Sequence, residues 1–320
     1  MNPSTPNTRT FASLGPGFRK ALAIVSYVYL ALPLFIFAVG WLKPAIGVAF
    51  AFALSVGLFL ALRDIGRWQP PPHENGGEAA GRLGARARFK IAFILAATFA
   101  WTLLSGIGGY GFQRFTDYLK HNALLHDLAA QHWPVHYASV GFLNGATGRL
   151  GYYLAYYLPP GLAGRWFGKA FLNPAVFVWS FLGVLIGLCW FFYLVRRLSL
   201  RAFAMFVLFG GMNYLASVVV NKSFPSGTNH VDTWFGWATY PPFTATFFWA
   251  PQHMIPGWIL SGMLLSCIFQ RIHGRSLVFL WSLSVFWSPF LMIGLFPFVV
   301  YAFVAAKNRR DFFSYENTIR

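Results

Sequence analysis

The chain has 320 residues, 57% of them hydrophobic and only 10% charged, and its 25 Lys and Arg against 8 Asp and Glu give a net charge of +17. A soluble domain is about 25% charged, and an outer-membrane barrel shows ~10-residue alternating segments. Neither pattern is present, so soluble enzymes, soluble nucleic-acid-binding domains and porin-type barrels are excluded, and an all-α polytopic membrane protein is expected.

Residues 1–20 are polar and end in Arg19 and Lys20. The first apolar run, about 21–41, has the ~20 residues that cross a bilayer. It lacks a small-residue cleavage pattern and reads as a retained anchor. A second span covers about 45–62, after Trp41-Leu-Lys-Pro44. Residues 63–90 form a basic linker with three consecutive prolines (70–72) and six Lys or Arg. Span 3 covers about 90–109, span 4 about 174–195, span 5 about 202–220 and span 6 about 254–270. Residues 277–306 are apolar and read as a hairpin of two short helices broken near Ser288-Pro289. Long polar-aromatic segments, 110–172 and 221–252, separate spans 3 and 4 and spans 5 and 6. Cys189 and Cys267 fall inside apolar runs and suit neither a disulfide framework nor a zinc site.

Topology turns on residues 149–163. If they lie flat at the surface, 18 of the 25 Lys and Arg fall on the cytoplasmic side, as the positive-inside bias requires. Tyr152, Tyr153, Tyr156 and Tyr157 then share one face of an interfacial helix, which Pro159 and Pro160 end. The count becomes about eight membrane helices with both termini in the cytoplasm. The units are a two-span hairpin and basic linker (1–89), a membrane module (90–306) and a cytoplasmic tail (307–320). Anionic membrane lipids, not nucleic acid, are the expected counter-charge. Oligomeric state is left open.

Five of the eight acids fall on the cytoplasmic side, leaving Asp117, Asp127 and Asp232 for the other. Arg114, Asp117, Lys120 and His121 are spaced to share one helical face. A carboxylate there can take a proton from an attacking hydroxyl, and Arg114, Lys120 and Lys222 can hold a phosphate. A solvated salt-bridge face is the plainer account of the same spacing. His121, His126, His132 and His136, with Asp117 and Asp127, are potential metal ligands, but they match no standard spacing. No metal site is assigned, and cofactors are left open. In the second segment, Trp249 and its neighbouring aromatics offer platforms for sugar rings, although an aromatic belt would look the same. Gln252 and His253 begin span 6, where polar groups usually face a cavity. Walker, Gly-x-Ser-x-Gly and Cys-x-x-Cys motifs are absent.

The order of parts over residues 90–306 resembles the GT-C superfamily of membrane glycosyltransferases, which includes protein O-mannosyltransferases and bacterial aminoarabinose transferases. The stretches that carry the resemblance are Asp117-Tyr-Leu-Lys-His-Asn122, Trp133-Pro134-Val135 and Tyr156-Tyr-Leu-Pro-Pro160. The resemblance implies an inner-membrane enzyme of bacterial type that transfers a sugar from a polyprenyl-phosphate donor to an acceptor on the outer face. Asp117 would then be the acceptor-activating base, with His121, Asp127, Trp249, Gln252 and His253 contacting substrate. The second acid usual in this loop has no clear match, Asp127 being the nearest candidate, and the chain is short for that family. A non-catalytic partner subunit and a lipid-linked-sugar transporter are the alternative readings. The transporter would need ionisable groups at mid-membrane, whereas nearly all of those here sit in loops or at span ends.

Overall fold

The computed structural model describes residues 15–67, 84–111, 113, 117–138, 147–210, 216, 218–220, 222, 241–269 and 274–305. Among the described residues the regular secondary structure is helical apart from one two-residue antiparallel pair, β1 (His136–Tyr137) and β2 (Gly148–Arg149). Four segments are long and apolar enough to cross a membrane: Gly17–Trp41, Pro44–Arg67, Ala85–Leu104 and Lys169–Leu194. They belong to helices α1 (Gly15–Trp41), α2 (Pro44–Arg67), α3 (Ala85–Leu104) and, after α4 (Asp117–Ala130) and α5 (Leu158–Phe167), α6 (Leu172–Leu194). Further along come α7 (Leu200–Leu208), α8 (Phe243–Trp249), α9 (Pro251–Phe269), α10 (Gly274–Trp287) and α11 (Pro289–Ala305).

Burial separates the centre of the bundle from its edge. The spans of α1 and α6 are 61% and 56% buried, those of α2 and α3 only 17% and 22%. The pair α6 and α9 forms the core, with α1 against α6 and the α10–α11 hairpin against α9. Small residues allow this approach: a side chain at Gly183 of α6 would strike both Tyr29 of α1 and Ile255 of α9. Hydrogen bonds then fix the register. The Trp190 indole donates to Ser26 Oγ at 2.8 Å, and the Trp287 indole to the Leu30 carbonyl at 3.0 Å. Ser26→Ala is expected to cost ~1–3 kcal/mol by leaving a buried N–H unpaired. Thermal unfolding in detergent reads it, and the loss should shrink when Trp190→Phe removes the donor as well.

The hairpin break falls where the sequence puts it: α10 ends at Trp287 and Pro289 opens α11. Pro lacks an N–H and suits a first helical position. The same rule corrects the expectation for Pro159 and Pro160. They start α5 rather than ending a helix, and residues 154–156 before them form only a 3-10 turn. The four tyrosines therefore do not form an exposed helical face: Tyr156 and Tyr157 are buried. Tyr156 Oη meets Ser180 Oγ of α6 at 2.6 Å.

Span 5 also differs. Helix α7 stops after nine residues, with Phe209 extended (φ −60°, ψ 130°). The last carbonyls of a helix need outside donors, and α8 supplies them: Phe243 N donates to Phe209 O at 2.7 Å and Thr244 Oγ1 to Val207 O at 2.5 Å. Phe243 and Phe247 of α8 pack on Trp258 of α9. The end of the second long segment is thus embedded in the bundle rather than looped outside it.

Candidate functional site

Helix α4 is fastened across the end of α3. The Tyr118 hydroxyl donates to Ser105 O at 2.5 Å, Gln113 Nε2 to Gly106 O at 2.8 Å, and Asn122 Nδ2 to Gln113 Oε1 at 3.0 Å. On its other side it packs on α5, where Gly161 admits Leu128: a Cβ there would lie 2.8 Å from the Leu128 Cβ. Asp117 occupies the first turn of α4, where a negative charge is favoured by the helix dipole. Its carboxylate pairs with Lys120 Nζ at 2.7 Å, the two side chains being 32% and 41% exposed. The Lys120 ammonium also lies 5.3 Å from the centre of the Tyr152 ring. Burial works against its charge, but Asp117 and Tyr152 outweigh that effect and raise its pKa.

His121, one turn on from Asp117, is 3% exposed. Its Nε2 lies 3.0 Å from the Trp249 carbonyl and its Nδ1 2.5 Å from Tyr157 Oη. A carbonyl only accepts, so Nε2 carries the proton and Nδ1 accepts from the Tyr157 hydroxyl. Burial agrees with this assignment. It lowers the His121 pKa, with Lys120 adding to the effect, and pushes the Tyr157 phenol well up. The neutral ring therefore ties α4, the start of α5 and the α8–α9 junction together. The two long segments of the sequence meet at this one histidine.

Gln252 and His253 come next, in the first turn of α9. Gln252 is 2% exposed and its Oε1 has no hydrogen-bond partner among the described residues. His253 Nδ1 is also buried and unpartnered, and its ring stands edge-on to Tyr153 at 5.1 Å and Phe290 at 5.7 Å. Lys120 and His121 act on it electrostatically. Buried polar atoms normally find partners, so Gln252 Oε1 is open to a ligand donor and His253 Nδ1 to a ligand group that matches its tautomer. The cluster as a whole offers a carboxylate, an ammonium, two imidazoles, an amide and the Tyr152–Tyr153 rings around the start of α4 and α9.

The expected residues do not all join it. Asp127 lies ten residues beyond Asp117 on α4, about 15 Å by helical rise. Its carboxylate accepts from Tyr137 Oη at 2.6 Å and Gln131 Nε2 at 3.1 Å, which holds the following loop. Trp249 takes part through its backbone carbonyl, while its side chain is 38% exposed. Lys222 is exposed with a left-handed backbone (φ 53°), and no contact among the described residues ties it to the cluster. Arg114 lies outside the described residues, as do Asn229, His230, Asp232, Trp234, Trp237 and Tyr240. Two of the other histidines lie apart from it: His126 meets Lys169 Nζ at 3.3 Å, and His136 sits on β1 opposite Arg149 in the strand register. Among the described residues no three of His, Cys, Asp or Glu converge as metal ligands.

Three participants were read from sequence as surface aromatics: Tyr152, Tyr153 and Tyr157. The signal that could have found them is the Pro-Pro pair, which marks a helix start and so forces the preceding tyrosines into a turn. Compared with known proteins, the chain matches no family model, no curated protein and no solved structure.

Proposed function

We propose that the chain is an integral membrane glycosyltransferase of GT-C-like type. It takes a sugar from a polyprenyl-phosphate donor and passes it to an acceptor hydroxyl at the end of the bundle where α4 lies. The observation that carries this reading is one juxtaposition. The Asp117–Lys120 pair lies one turn from buried His121, which meets the Trp249 carbonyl, and just after Trp249 the buried Gln252 Oε1 and His253 Nδ1 have no partner among the described residues. In the transfer the acceptor oxygen attacks the anomeric carbon, and the bond from that carbon to the phosphate oxygen breaks. Polyprenyl phosphate leaves, and the acceptor proton passes to Asp117. Lys120 exchanges its carboxylate partner for the donor phosphate. An exposed ion pair is worth only ~0–1 kcal/mol, so the exchange costs little. Gln252 and His253 receive sugar hydroxyls, with Tyr153 as the ring platform.

The depth of the site fits a lipid-linked donor. Helix α5, which braces α4, ends on exposed Trp166 and Phe167 beside Arg165 and Lys169, the makeup of an element at headgroup level. The finer topology belongs to the same proposal: about eight membrane helices, with both termini on the cytoplasmic side of a bacterial-type inner membrane. The test is incubation of purified protein with polyprenyl-phosphate sugars, reading release of polyprenyl phosphate. Turnover that depends on the protein supports the reading, and none with any sugar tried counts against it. A second reading is a non-catalytic partner subunit. It is favoured by the engagement of Asp127 away from the cluster, which leaves Asp117 as the one carboxylate there among the described residues. Co-purification with a larger transferase, indifferent to Asp117 substitution, would identify it.

A further inference from the structure

A cavity of about 390 Å³ lies between α6, α7 and α9, walled by Phe191, Leu194, Met205, Trp258, Ser261 and Leu265 among others. It is separate from the polar cluster: its wall on α9 begins at Trp258, ~9 Å by helical rise from Gln252. Its origin is visible in the packing. Gly187 and Gly262 let α6 and α9 approach closely through Trp258 and Trp190. Helix α7, which flanks them, stops at Leu208. Nine residues rise only ~13 Å, less than half of the ~30 Å hydrocarbon layer. Beyond its end, Phe209 and, from α8, Phe243 complete the described wall.

The chemistry of the wall selects the occupant. Among the described residues it carries no charged side chain, and Ser261 supplies its one side-chain hydroxyl. Apolar cavities of this kind exclude water, and leaving one empty forfeits packing. The volume lies within the ~300–1,000 Å³ of ligand pockets. Met205, which lines the cavity on α7, is 68% exposed and makes an apolar lip. We propose that this cavity is a binding site for one hydrocarbon chain of a lipid, which enters past exposed Met205. The site stands whether or not the chain transfers sugar.

The test is photolabelling of the full-length protein in liposomes with two probes, a diazirine-bearing palmitic acid and a diazirine-bearing prenol. Saturable labelling should map to α6, α7 and α9 around the cavity, and the better probe identifies the chain type. Ser261→Phe fills the space and should weaken this labelling about tenfold, equivalent to one decade of affinity. Background labelling of the exposed α2 face, at Phe52 and Phe59, should stay unchanged. Met205→Trp alters only the exposed lip and decides the matter if Ser261→Phe fails to fold. Labelling spread evenly over α2, α3 and the cavity, or cavity labelling that neither folded variant reduces, overturns the proposal.

Discussion

Asp117→Asn is expected to lower turnover of the polyprenyl-phosphate sugar by ~10²–10⁴-fold, the usual contribution of a positioned general base. Asparagine keeps the shape of the side chain and removes its ability to take a proton. The fold should survive, because the lost contact is an ion pair whose partners are 32% and 41% exposed, a kind worth ~0–1 kcal/mol. The effect should fall on kcat. Donor binding should hold or tighten, since Lys120 loses its competing carboxylate and keeps its charge for the phosphate. Lys120→Ala should do the reverse and raise KM for the donor, as loss of a charge-assisted phosphate contact does. Steady-state kinetics on the three proteins separates the roles. A folded Asp117→Asn protein with full turnover would remove Asp117 from the chemistry.

The long apolar runs made α1, α2, α3 and α6 legible, because a bilayer-crossing helix must satisfy its own backbone and present apolar residues throughout. The break at Ser288-Pro289 was legible for a local reason, the fixed backbone of proline. Helix α7 was not. Its apolar run continues past Leu208, and its end is set by donors from Phe243 and Thr244, some 35 residues away. Within the site, spacing placed Asp117, Lys120 and His121 on one side of a helix, and they do lie there. Spacing could not tell which edge of that side is buried. Contacts with Tyr157, just before α5, and with Trp249, the last residue of α8, decide that, and they put His121 inside while Lys120 stays at the rim. Trp249 shows another limit: its role lies in a carbonyl that every residue has, so side-chain type carried no signal for it.

His121→Ala should lose both stability and activity. It strands the Tyr157 hydroxyl and the Trp249 carbonyl. Each buried group left unpaired costs ~1–3 kcal/mol, so about 2–6 kcal/mol together. It also frees α4 from the α8–α9 junction, and a 1 Å misplacement of a catalytic group can cost ~10²-fold in rate. His121→Gln separates linkage from proton chemistry, because its amide donates and accepts as the neutral ring does and does not titrate. The pH dependence makes the distinction measurable. An unfolded histidine takes its proton as pH falls through about 6.5, whereas burial lowers the pKa of His121 in the fold. Between the two values the unfolded chain binds more protons, so stability falls with falling pH. The His121 contribution is fully present above about 6.5 and is lost as pH falls toward the folded value, at up to ~1.4 kcal/mol per pH unit. Thermal midpoints taken from pH 7.5 downward should show this slope in the wild type and a shallower one in His121→Gln. Equal slopes in the two proteins would mean that the histidine bridge does not hold the segments together as a neutral ring.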